Sequence, residues 1–304
     1  LDTKKISFFR TARYYMRNQL EKSKKFSIFL ISKKRFTMAI VIKTAEEIEG
    51  MRKACRLASE VLDFIEPFVV PGAKTIDLDQ RMNDFMLAHG AKSACLGYAP
   101  KGFTPYPGST CISVNHVVCH GIPSEKTLKK GDIVNIDVTV ILDGFYGDTS
   151  RMFMVGNKIS VSARHLVEAT YECMWRGIAA IAPGRPLNDV GIACEKVARA
   201  EGLSVVHEYG GHGVGRNFHE DPFVCHYNTQ DNRVIMKPGM IFTVEPMLNA
   251  GRRQISELND GWTVVTADRS LSAQWEHTVL VTETGYEVLT LSDGYPPIPD
   301  YIKR

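Results

Sequence analysis

No two of the seven cysteines, at positions 55, 95, 111, 119, 173, 194 and 225, stand as a C-x-x-C pair, and their number is odd. That argues against a disulfide framework and against a structural zinc knuckle; it points to a reducing cytoplasm in which most of the thiols serve as small buried apolar groups. Acids are nearly missing from the first 37 residues, which hold eleven Lys/Arg against only Asp2 and Glu21. This head is therefore about +9 while the whole chain is only +3, which leaves the remainder at −6. The head has no apolar run long enough for a membrane span, and its FSIFLI is too short for a signal-peptide core. The chain begins with Leu, and Met38 opens MAIVIKTAEEIEGMRKA, which reads as a natural start followed by a helix with Thr44 as N-cap and Glu46 and Glu47 in the first turn. Residues 1–37 are expected to be an upstream extension without fixed order; a basic arm that contacts RNA or the ribosome, and a transit-like peptide, are the alternatives.

With 44% hydrophobic and 23% charged residues, the composition is that of a soluble globular protein. Helical patterns at 45–66, 75–89, 160–181 and 187–201 alternate with β-rich stretches, which predicts an α+β domain with a curved, mostly antiparallel sheet and helices on its outer face. Two halves resemble each other. PGAKTIDLDQRMNDFMLAHG (71–90) matches PGRPLNDVGIACEKVARAEG (183–202) in length, opening and close, KKGDIVNID (129–137) matches KPGMIFTVE (237–245), and CHGI (119–122) matches GHGV (211–214). Their common order predicts a pseudo-two-fold axis that places Asp137 and Glu245 at matching strand ends.

NIDVTVILDGFYGDTSRMF (135–153) carries two acids in an otherwise apolar segment. With Asp143-Gly144 as a two-residue turn, facing residues sum to 287, so Asp148 faces Thr139 and shares a side with Asp137. The two carboxylates are then diagonal neighbours, about 7–8 Å apart at the backbone. Such a pair is either a wet polar face or one wall of a cation site. Glu245 in IFTVEPML and Glu276 before HTVLV lie in β-forming apolar runs, where an unpaired buried carboxylate costs several kcal/mol. Together with His212 in GGHGVGRNFHEDP they make a hard, oxygen-rich set suited to two adjacent divalent cations and unsuited to thiolate zinc. Singly, each acid or histidine reads as an ordinary strand-face or loop residue.

The ordered run CHGIP, NIDVT, GDTSRMF, GHGVGRNFHEDP, TVEPM and AQWEHT resembles the type I methionine aminopeptidases across residues 38–295. The resemblance implies the pita-bread fold, a catalytic domain over 38–295 and a C-terminal tail over 296–304. It implies Asp137, Asp148, His212, Glu245 and Glu276 as ligands of two divalent ions (Fe, Mn, Co or Zn), with Glu245 also a proton acceptor. His120 and His219 would contact substrate and act in catalysis, and Cys95, Tyr98, Tyr106, Cys111, Phe218 and Trp262 would line the methionine pocket. A monovalent cation would sit near Asn115, Val117 and Ser272. The implied activity is hydrolytic removal of the initiator methionine from nascent chains whose next residue is small, by a cytoplasmic monomer with no membrane partner. Between Tyr98 and Tyr106 the chain reads APKGFTP, longer than the compact loop this family implies; its Pro and Gly content predicts a surface loop at the pocket rim.

Two relatives and one different class of protein compete. Prolidases and aminopeptidase P-like enzymes share the five ligands but carry a large preceding domain, which 37 residues cannot supply. Type II methionine aminopeptidases carry a long helical insertion, for which the 26 residues from His219 to Glu245 and 31 on to Glu276 leave no room. A catalytically inactive pita-bread binding module would lack ligands, and all five are present.

Overall fold

The computed structural model describes residues 39–302. The expectations set on the 1–37 extension and on Met38 fall outside them. Helix α1, Ala45–Ile65, starts where the sequence places it: Glu47 N–H donates to Thr44 Oγ1 at 3.2 Å and Thr44 N–H donates back to the Glu47 carboxylate at 3.1 Å, so the cap is reciprocal. Helices α2, Thr75–Ala88, α3, Val161–Ala179, and α4, Asn188–Ala200, follow. Each of the four ends within two residues of the boundary the periodicity predicts.

The central hairpin joins strands Ile133–Leu142 and Phe145–Met154 in ten antiparallel pairs, among them Thr139 with Asp148 and Leu142 with Phe145, as the Asp-Gly turn requires. Asp143 and Gly144 both adopt positive φ, 51° and 79°, the left-handed pair of a type I′ turn. Period-two alternation then divides the hairpin. Val134, Ile136, Val138 and Val140 enter one core with Met51, Leu62 and Ile65 of α1 and Leu78, Met82 and Met86 of α2. Fully burying each such side chain contributes about 1.5–3 kcal/mol. Contact with α1 is so close that a Cβ at Gly147 would lie 2.2 Å from the Ala54 carbonyl oxygen, so any other residue there would push helix and sheet apart. The opposite face carries Asn135, Asp137, Thr139, Asp148 and Ser150.

The second half has its own core, in which Leu166, Met174 and Trp175 of α3 and Val190 and Cys194 of α4 pack on Phe242, Val244, Val279 and Val281. Its five-stranded sheet runs Tyr286–Val288, His277–Val281, Ile241–Val244, Gly211–Gly213, Glu220–Val224. Every strand pair among the described residues is antiparallel. The halves are laced together at one seam: Ser150 bridges to Glu276, Thr149 Oγ1 donates to the Glu276 carbonyl at 2.8 Å, and Thr278 Oγ1 donates to the Asp148 carbonyl at 2.7 Å. The segment after residue 295 lies against α3, where Tyr171 donates to the Pro296 and Pro297 carbonyls and Arg176 stacks 3.6 Å from the Tyr301 ring centre.

Candidate metal centre

At the seam, ligand oxygens of Asp137, Asp148 and Glu276 all lie within 4.8 Å of one another. The hairpin supplies the first two and the start of strand His277–Val281 supplies the third. From the neighbouring strand ends, His212 Nε2 comes within 3.5 Å of an Asp148 oxygen and 3.8 Å of Glu245 Oε1. All five residues named from the sequence therefore meet. His212 Nδ1 lies 3.0 Å from the Gly213 carbonyl, an acceptor only, so Nδ1–H donates to it and Nε2 is the nitrogen that faces the acids.

Neutral donors hold the acids. Thr139 Oγ1 donates to Asp148 Oδ1 at 2.7 Å, Thr243 Oγ1 to Glu245 Oε1 at 2.6 Å, and Gln274 Nε2 to Glu245 Oε2 at 3.1 Å. Because Thr243 Oγ1 already accepts the His212 backbone N–H at 3.0 Å, its own proton is directed at Glu245. His226 Nε2 accepts the Glu245 N–H at 3.0 Å, and burial lowers that imidazole to about 3. Of these partners only Thr139 was visible beforehand, through the facing-pair arithmetic; Thr243, Gln274 and His226 follow no local pattern.

Asp148, Glu245 and Glu276 are buried, while Asp137 keeps an edge open to the cleft. Burial, then the charges of neighbouring acids, pushes Asp137 and Glu276 well above the carboxylate range. Glu245 rises as far, chiefly by burial and against its hydrogen bond from Thr243. Asp148 is also raised by burial, with His212 and Thr139 opposing. No lysine or arginine among the described residues forms an ion pair with any of the four. Four acids crowded out of water without a cation are costly. An oxygen-rich donor set with one imidazole fits divalent cations and satisfies that charge.

Beside the acids lies an apolar cluster of Cys95, Tyr106, Cys111 and Trp262, edged by Tyr98, Ile122 and Phe218. Six of those seven were named from the sequence, and Ile122, two residues after His120 in CHGIP, was not. Cys111 pairs directly with Asp137 across the sheet, so the cluster begins one strand from the acids. His219 stacks with Phe218 at 4.3 Å, lies 4.2 Å from the His212 ring and meets the Tyr98 hydroxyl through Nδ1 at 3.1 Å. His120 has φ 54° and sits edge-on to Tyr209 at 5.4 Å and Trp262 at 6.2 Å. Burial lowers His120 to about 4; His219 stays accessible at the cleft but is held well below its usual value by surrounding protein, then by His212 and His120. Both rings are neutral at pH 7. Of the residues named for a monovalent ion, Asn115 O accepts the Ser272 N–H at 2.9 Å, and Val117 lies on the adjacent strand Val117–Cys119. The Asn115 side chain is taken up by Ile133 N–H and Asp132.

Comparison with known proteins agrees with this geometry. Residues 49–283 match the metallopeptidase family M24. The chain is 56% identical over 265 residues to the methionine aminopeptidase of Escherichia coli strain K12, covering 86% of this chain and 98% of that protein. Its fold superposes on the methionine aminopeptidase of Rickettsia prowazekii with TM-score 0.79 and 49% identity, over 83% of this chain and all of that one. Against the prolidase of Pyrococcus furiosus the TM-score is 0.66 at 25% identity, and this chain covers 66% of that one.

Proposed function

The chain belongs to metallopeptidase family M24, and from that premise we propose that it is a methionine aminopeptidase that removes the N-terminal methionine from polypeptides whose second residue is small. One observation carries the reading: a thioether-sized apolar cluster of Cys95, Tyr106, Cys111 and Trp262 begins one strand from the acids, at the pair Cys111–Asp137. A methionine side chain seated there brings its own scissile carbonyl over the acids.

Asp137, Asp148, His212, Glu245 and Glu276 would hold two divalent cations. Bound there, the cations supply Lewis acidity, making a hydroxide available near neutral pH and polarising the scissile carbonyl. Glu245, fixed by Thr243 and Gln274, accepts the proton of the attacking water. Burial keeps the Tyr98 phenol protonated, and in the tautomer proposed here it donates to His219 Nδ1. His219 therefore presents Nε2–H, which stabilises the developing oxyanion. His120, a neutral imidazole, hydrogen-bonds the substrate amide and relays to the leaving amine the proton that Glu245 takes from the water, while Tyr98, Tyr106, Phe218 and Trp262 exclude water around the methionine.

Iron, manganese, cobalt and zinc all suit this donor set. A monovalent cation near Asn115, Val117 and Ser272, action as a monomer on nascent chains in the cytoplasm, and ribosome contact through basic surface complete the proposal. Among the described residues, no helix is long and apolar enough to cross a membrane. Release of methionine from Met-Ala-x peptides, assayed against x-Pro peptides with the metal varied, tests it: preferential cleavage of x-Pro would favour a prolidase-like enzyme instead.

A further inference from the structure

The loop over residues 99–105 stands outside the apolar cluster yet holds its largest member. It is pinched at its base, where Tyr106 N–H donates to the Tyr98 carbonyl and Gly97 N–H to the Tyr106 carbonyl, each at 2.9 Å, and tightened by Phe103 N–H on the Pro100 carbonyl at 2.9 Å. A loop closed this way is a compact surface element that projects its tip in a fixed direction. The tip reaches Trp262. The indole N–H donates to the Thr104 carbonyl at 2.9 Å, and the Phe103 ring lies 5.1 Å from the indole, tilted by 43°. The other rings around the indole are Tyr106, edge-on at 5.2 Å, His120, edge-on at 6.2 Å, and Tyr98, tilted at 6.4 Å. Trp262 is only 8% exposed, so its polar N–H depends on that one carbonyl. Phe103 is 37% exposed, and its contact with Trp262 accounts for an aromatic ring at a loop tip.

An indole is flat and wide, and its tilt sets how much room it leaves beside Cys95, Tyr106 and Cys111, the other members of its cluster. The loop supplies the carbonyl that takes up the indole N–H and, in Phe103, the shortest of the four ring contacts the indole makes among the described residues. We propose that loop 99–105 is the brace that sets the methionine pocket's selectivity. Phe103 and the Thr104 carbonyl are positioning groups that lock Trp262 at the width accepting an unbranched thioether and rejecting a branched side chain. The idea rests on the methionine aminopeptidase reading, from which it is experimentally separable.

The test uses the full-length, manganese-loaded protein and compares kcat and KM for Met-Ala-Ser and Leu-Ala-Ser in wild type, Phe103→Ala and Phe103→Tyr. The wild type should release methionine. Phe103→Ala should raise KM for Met-Ala-Ser by about fivefold with kcat within twofold, and lower the methionine-over-leucine ratio of kcat/KM by about tenfold, the scale of one misfitted side-chain contact. Phe103→Tyr, which keeps the ring, should restore both. Acrylamide quenching provides a reading independent of turnover. The other tryptophans, Trp175 and Trp275, are 0% and 5% exposed and do not touch the loop, so increased quenching in Phe103→Ala reports a loosened Trp262. A folded Phe103→Ala protein with unchanged selectivity and quenching would overturn the brace and leave the activity standing. A wild type inactive on Met-Ala-Ser would overturn the activity itself, and the brace with it.

Discussion

Metal should stabilise this protein more strongly the higher the pH, and the slope counts the protons that the buried acids hold without it. Burial and mutual repulsion raise Asp137, Glu245 and Glu276 well above the carboxylate range, and burial raises Asp148. The rise at Asp137 counts for less, since its edge meets the solvent of the cleft. A folded-state pKa above the unfolded value means the metal-free folded chain keeps protons that the unfolded chain has released. Its stability therefore falls as pH rises from about 4 toward the raised values, by about 1.4 kcal/mol per pH unit for each proton kept. Other groups also titrate. Burial lowers His226 and His277 to about 3, so these imidazoles add stability as pH rises toward about 6.5, and burial pushes the Cys55 thiol up to about 12, which removes stability only as pH rises beyond about 8.5. Both effects are common to the metal-free and metal-loaded forms and cancel in their difference. What remains is the ligand acids, whose protons the metal displaces. For a domain of this size, roughly 2–4 °C per kcal/mol turns one displaced proton into a gap in Tm that widens by roughly 3–5 °C per pH unit. Scanning calorimetry of chelator-treated protein and of protein at fixed free manganese, at pH 7.0, 7.5 and 8.0, measures it. A gap constant with pH would show that the acids are already ionised without metal, and the desolvation argument would fall.

Other outcomes follow from the same contacts. Asp148→Asn should abolish cleavage of Met-Ala peptides through weakened metal binding, and unchanged turnover in metal-replete buffer would refute the two-metal site. His219→Ala should lower kcat by roughly 10²–10³-fold while bound metal, measured by plasma emission, stays constant; loss of metal would show that the ring is a ligand. Lys43 and Glu220 form a buried ion pair at 7% and 9% exposure, 177 residues apart. Lys43→Met should cost about 3–5 kcal/mol in urea denaturation by stranding the Glu220 charge, and adding Glu220→Gln should recover part of it; a single-variant cost below about 1 kcal/mol would show that the pair is not effectively buried. Deleting residues 1–37 should leave folding and peptide cleavage intact, and an insoluble or inactive truncated protein would show that the extension is structural.

Much of this architecture could be read from the sequence because short-range rules dictate it. Asp143-Gly144 fixes a two-residue turn, the turn fixes the register, and the register puts Asp137 and Asp148 on one face whatever surrounds them. Thr44 with Glu47 fixes a helix start in the same local way. The repeat matches Glu245 to Asp137. What could not be read depends on which distant segments the fold brings together. Gln274 reaches Glu245 from 29 residues away, and Trp262 finds the Thr104 carbonyl across 158. No periodicity encodes such pairs. The resemblance to a family named candidate pocket residues by position, and six of them fall in one apolar cluster, but the hold of Phe103 and Thr104 on Trp262 follows from no such match.

The distribution of cations explains why the acids can serve a metal at all. A buried arginine lies on the same hairpin strand as Asp148: Arg151, 2% exposed, pairs with Asp63 at 2.8 Å and Glu66 at 3.3 Å. Strand alternation turns it to the face opposite Asp148 and Ser150. Had the register slipped by one residue, that guanidinium would face Asp137 and Glu245, satisfying the acids internally and competing with divalent metal for them. Instead the site's outer oxygens receive hydroxyl and amide donors from Thr139, Thr243 and Gln274, which fix geometry without cancelling charge. The same alternation that sends the valines of the first strand into the α1 core thus keeps the acids of the opposite face free of an internal cation and available to metal.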